Sequence, residues 1–113
     1  MDLHELFLVT LVVEPVLEDH VTRDLLELGA TGFTVMEARG RGTRGIRTGD
    51  IPGHNVRIET VVAKSVAERI LTRVQEKWFE QYAVIAWAHP VKVVRGDKYV
   101  AGETQGEAEA DEE

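Results

Sequence analysis

Leu6 to Val13 is an unbroken run of apolar and β-branched residues. Such a run suits a strand buried on both faces, not one with a wet side. Any fold that accepts it must therefore cover both sides of a sheet. A chain of 113 residues is one small domain, with too little material to build two full covers from itself. The run thus predicts sheet faces buried in an oligomer, most simply a ring.

The remaining pattern alternates between the two periods. Pro15 stops the first strand, and Leu17, Val21, Leu25 and Leu28 then fall on one helical face, with Gly29 placed to end the helix. Gly32 to Arg39 reads as a second strand, with Phe33, Val35 and Glu37 on one side and Thr34 and Met36 on the other. Val56, Ile58, Thr60 and Val62 share one face of a third strand. Ser65 and Glu68 have the spacing of a capping box, and Ala67, Ile70, Leu71, Val74 and Trp78 form the apolar stripe of a second helix. Trp78 and the adjacent Phe79 read as core. Ala83 to Val94 is a fourth strand, and Pro90 marks it as an edge or a bulge. The order is βαβ, loop, βαβ. That order predicts an α+β, ferredoxin-like βαββαβ domain with both helices on one sheet face. It spans residues 1–100, and 101–113 form a polar, acidic tail expected to be disordered.

Net charge is −7, but the last eleven residues carry six acids and no base, so the rest is close to neutral. General attraction to nucleic acid is not expected. There is no cysteine, which excludes disulfides, thiolate metal sites and cysteine nucleophiles. The N-terminus is too acidic for a signal peptide, and no apolar run approaches the ~20 residues needed to span a bilayer. The expected location is the cytoplasm, with any contact at the inner membrane made through a partner.

Against this background, Arg39-Gly40-Arg41-Gly42-Thr43-Arg44-Gly45-Ile46-Arg47 stands out. Guanidinium forks suit phosphate and carboxylate, and glycine lets backbone N–H groups come close to a ligand. The run opens a loop over about 40–54, long for a compact domain and so either functional or disordered. Mutual repulsion among its arginines gives a purely structural role little benefit, whereas a bound anion would relieve it. The run also spells Gly40-x-Gly42-x-x-Gly45, but a dinucleotide fingerprint must open a helix. Here Gly49, Pro52 and Gly53 follow without helical period.

Other candidates are weaker. His4, His20, His54 and His89 lack metal-ligand spacing, and only His54, at the loop exit, is placed to touch a ligand. No Ser-His-Asp set or nucleophile elbow is visible, so no catalytic or metal site is expected. Trp87 suits core or subunit packing. Arg95 opens a basic turn that could reach a neighbouring subunit's loop.

Gly29-Ala30-Thr31-Gly32-Phe33-Thr34-Val35-Met36-Glu37-Ala38-Arg39-Gly40-Arg41-Gly42 resembles the second-strand signature of the PII signal-transduction family, where the strand leads into a regulatory T-loop. Val56 to Val62 resembles that family's third strand, and the resemblance covers about residues 5 to 98. It is greatest to the PII-like proteins tied to inorganic carbon, the bicarbonate-transporter-associated (SbtB) and carboxysome-associated types. Gly40, Gly42, Thr43, Arg44 and Arg47 match their loop pattern, and Lys77-Trp78-Phe79-Glu80-Gln81-Tyr82 matches their second-helix end.

The resemblance implies a homotrimer that binds adenine nucleotides between subunits. Thr34 and Val61 would contact the adenine side. Gly40, Arg41, Gly42, Thr43 and Arg44 would hold phosphates, Arg47 would extend the grip to bicarbonate, and Arg95 would reach phosphate from a neighbour. The loop has no tyrosine for a uridylylation switch, and Arg44 stands where the family's 2-oxoglutarate site uses glutamine. The glycine-rich stretch with its phosphate-binding lysine before the fourth strand is missing. ADP, AMP or cyclic AMP is therefore favoured over ATP as a reversible ligand, with no permanently bound cofactor. The expected activity is non-enzymatic signalling to a bicarbonate or anion transporter or a carboxysome component. The rivals are a slow nucleotide phosphohydrolase, for which no general base can be named, and an RNA-binding module, for which the run lacks stacking aromatics.

Overall fold

A computed structural model describes residues 1–40 and 53–95 of the chain. The elements are β1 (His4–Val13), a single 3-10 turn (Pro15–Leu17), α1 (Glu18–Leu28), β2 (Thr34–Arg39), β3 (His54–Val62), α2 (Lys64–Lys77) and β4 (Ile85–Val93). The four strands form one antiparallel sheet in the order β2-β3-β1-β4, the ferredoxin-like arrangement. The fold class read from the sequence therefore holds. The arginine loop at Arg41, Gly42, Thr43, Arg44 and Arg47 and the acidic tail at 101–113 fall outside the described residues.

β1 sits between β3 and β4, with Leu11 opposite both Ile58 and Ala86. Val9, Leu11 and Val13 face the helices, while Leu6, Leu8 and Val12 lie on the opposite face, so β1 is apolar on both sides. Val9, Leu11, Val13, Val56, Ile58 and Val62 pack against Val21, Leu25, Val66, Ala67, Ile70 and Val74 of the two helices. Each such side chain taken from water contributes about 1.5–3 kcal/mol. β4 pairs only with β1, so Pro90, opposite Phe7, lies in an edge strand as its ring requires.

Both helices lie on that one face and meet at a polar node. Asp24, with 8% of its side chain exposed, accepts from Trp78 Nε1 at 3.2 Å, Lys77 Nζ at 3.2 Å and Arg73 Nη1 at 3.3 Å. A buried carboxylate is tolerable only when donors satisfy it in this way. α1 ends at Gly29, whose φ of 119° lets the N–H of Ala30 reach back to the carbonyl of Leu25 at 3.0 Å.

Three local expectations need correction. α2 begins at Lys64 with Ala63 as its N-cap, so Ser65 lies inside the first turn and is not the N-cap residue. The strand geometry of Ala63 (φ −68°, ψ 160°) continues β3 to the helix and leaves no turn for a serine cap. Phe79 is 40% exposed, because α2 has ended and the chain turns before it can face the sheet. Leu17 is buried as expected, but from the 3-10 turn that Pro15 starts, not from α1. In addition, β2 and β4 are shorter than read, starting at Thr34 and Ile85.

Candidate functional site

β2 and β3 make the stem from which the arginine run departs. Arg39 pairs with His54, and beyond them the N–H of Gly40 donates to the carbonyl of Gly53 at 3.0 Å. Gly53 has φ +72°, a left-handed conformation that glycine adopts without a steric cost. Its carbonyl receives the Gly40 N–H because of that turn, so two glycines close the stem. His54 Nε2 lies 3.8 Å from Glu37 Oε1 across the same stem, with His54 half-buried and Glu37 exposed. Of the predicted loop residues, Gly40 is thus placed at the loop base, exposed and with open space where a side chain would be.

Thr34 and Val61 lie elsewhere. Thr34 begins β2 and is opposite Glu59, while Val61 is opposite Leu8. Alternation puts both on the sheet face that carries no helix. They are diagonal neighbours across the strand pair, close enough for one small ring system to touch both. Thr34 is exposed and Val61 half-buried. Gly40 is six residues along the same strand from Thr34, roughly 20 Å at the usual rise per residue. Arg95 follows β4, which ends beside His4 at the start of β1, whereas Gly40 leaves β2 near the sheet end where β1 finishes. Within one protomer, the predicted residues are therefore spread over both ends of the sheet. A single copy does not bring Arg95 to the loop base.

The helix-free face also holds a group that sequence reasoning missed. Thr10 Oγ1 donates to Glu59 Oε2 at 3.1 Å, and Arg57 reaches the same oxygen with Nε at 3.1 Å and Nη2 at 2.9 Å. The Arg57 guanidinium lies 5.7 Å from the centre of the Trp87 ring. Register aligns Trp87, Thr10, Glu59 and Thr34 in one row across all four strands. Around this row stand Leu6, Leu8, Val12, Met36, Val61, Ile85 and Val91. The signal was present in β3: its residues 57 and 59 are charged on the face where β1 is apolar. Among the described residues, no three His, Cys, Asp or Glu side chains cluster as metal ligands would, and no helix is long and apolar enough to cross a membrane.

The family model for nitrogen regulatory protein P-II matches residues 6–98. A PII-like signalling protein from Thermus thermophilus is 53% identical, with a TM-score of 0.77, over 88% of this chain and 100% of that one. CPII from Thiomonas intermedia, solved with ADP, AMP and acetate, has a TM-score of 0.74 at 22% identity over 88% of this chain and 99% of that one. The same protein solved with ADP and bicarbonate has a TM-score of 0.75 at 22% identity, over 87% and 97%. At that identity, CPII shares the fold, and its ligands are properties of CPII.

Proposed function

The chain belongs to the nitrogen regulatory protein P-II family, and from that membership we propose that it is a homotrimeric sensor of adenine nucleotides. One observation carries the reading. The residues matching the family's nucleotide site lie at opposite ends of a single sheet, on a protomer whose helix-free face is largely apolar. Such residues make one site only where copies meet. Thr34 and Val61 then take the base, the Gly40 loop base and its arginines take phosphate, and Arg95 completes the grip from a neighbour. Nucleotide orders the loop, and the ordered and free loops differ in affinity for a partner. The protein signals by this difference and not by catalysis.

Within the family, the inorganic-carbon subgroup suits the chain best. The Gly40-x-Gly42-Thr43-Arg44 pattern with Arg47 supports it, as does bicarbonate beside ADP in CPII. The partner is then a bicarbonate or anion transporter, or a carboxysome component, met from the cytoplasm. Calorimetric titration with AMP, ADP, ATP and cyclic AMP, each with and without bicarbonate, tests this. The expected result is saturable binding that Arg44→Ala weakens about ten- to a hundredfold. A bicarbonate-dependent gain supports the carbon reading. Absence of binding to all four nucleotides would sink the sensor.

A further inference from the structure

We propose that the Arg57–Glu59–Thr10 group sets the register of the trimer, with Glu59 Oε1 taking its donor from the neighbouring copy. The inference rests on the trimer of the preceding section and adds what fixes its geometry. An apolar sheet face alone is a poor guide to register, since flat hydrocarbon surfaces slide and rotate over one another at little cost. This face contains one ionised pair among Leu8, Val12, Val61 and Trp87. The pair neutralises itself within the protomer, so the face carries little net charge and suits a second copy of itself over a charged partner.

The pairing is lopsided. A carboxylate offers about four acceptor positions over its two oxygens. All three donors that reach Glu59 among the described residues converge on Oε2. Oε1 receives none of them, and only 22% of the side chain remains exposed before any neighbour arrives. Covering that oxygen without a donor is costly, so most arrangements of copies are disfavoured. The favoured arrangement presents an N–H or O–H to Oε1. Selection against wrong arrangements, more than added affinity, is what a desolvated ion pair supplies best.

Glu59→Gln distinguishes this role from a merely local one. If Oε1 needs no donor, glutamine can turn its oxygen to Arg57 and Thr10 and leave its amide where Oε1 was, with little effect on assembly. If a neighbour donates there, the amide meets a donor. The expected result in a native mass spectrometry and sedimentation series is that Glu59→Gln needs at least about tenfold more protein to trimerise, with its circular dichroism unchanged. The double variant Arg57→Met with Glu59→Met should associate again, but as a mixture of stoichiometries. A Glu59→Gln trimer as tight as wild type, or a double variant forming one homogeneous trimer, overturns the inference while leaving the trimer intact. A wild-type chain that stays monomeric overturns the trimer reading and the inference with it.

Discussion

Leu8 and Val9 are neighbours on β1, yet they end in different surroundings. Val9 is fully buried beneath the helices, whereas Leu8 is half-buried on the face with no helix above it. The same contrast runs across the sheet: Leu11 and Ile58 are 0% exposed, while Ile85 is 58% and Trp87 37% exposed. Apolar residues are present on both faces, so hydrophobicity alone does not separate them. Connectivity does, because both crossovers place their helices on one side. One face therefore stabilises the protomer, and the other is free to stabilise an assembly. Their polar groups follow suit. Asp24 is satisfied from within the chain by three side chains, but among the described residues the donors to Glu59 all reach one oxygen.

This contrast can be broken most severely at the helix face. Ile70→Ala should cost about 2–5 kcal/mol in urea unfolding, because it leaves a cavity that the sheet cannot collapse into. The loss should be the same at every protein concentration, and a loss that fades on concentration would undo the division of labour. Asp24→Ala should cost about 1–3 kcal/mol, chiefly by leaving Trp78 Nε1 without its acceptor. Lys77 and Arg73 are 44% and 35% exposed and can turn to water, which keeps the cost below that of a fully buried pair. An unchanged midpoint would show that the node does not hold the helices.

Trp87→Ala sharpens the comparison from the other side. Far-ultraviolet dichroism and folded-state chemical shifts should persist, while the assembly weakens about tenfold or more. Melting temperature should then fall at low concentration and recover at high concentration. A concentration-independent fall would return Trp87 to the protomer's own core. The smallest effect is expected at Gly53→Ala, outside both faces. Its φ of +72° disfavours a side chain by about 1 kcal/mol. Nucleotide affinity should drop with the stem, and a variant as stable as wild type would mean the turn can adopt another conformation.

Much of this is legible in the sequence. The two-sided run at Leu6 to Val13 reads as a strand that seeks burial on both faces, and β1 lies inside the sheet with helices on one of them. Period-3.6 stripes locate both helices, Gly29 locates the end of the first, and Pro90 marks β4 as an edge or a bulge, of which the sheet order shows the edge. Thr34 and Val61 were read onto strands and share a face there. Harder to read were features made by distant residues. Asp24 meets Trp78 across 54 positions, and Glu14 accepts from the N–H of Ala83 across 69. Ser65 misleads because a capping spacing is not sufficient: β3 runs straight into the helix, whose N-cap is Ala63, two residues earlier.

Local chemistry and spacing were enough to settle which residues seek burial, where the chain turns, and the family signature around Gly40. Two further features came from the folded chain alone: Thr10, Arg57 and Glu59 converge, and Gly40 and Arg95 stand at opposite ends of one protomer. The physical reason is that strand pairing joins residues tens of positions apart. The free energy of that pairing depends on the whole sheet, whereas periodicity records only which side of its own element each residue prefers.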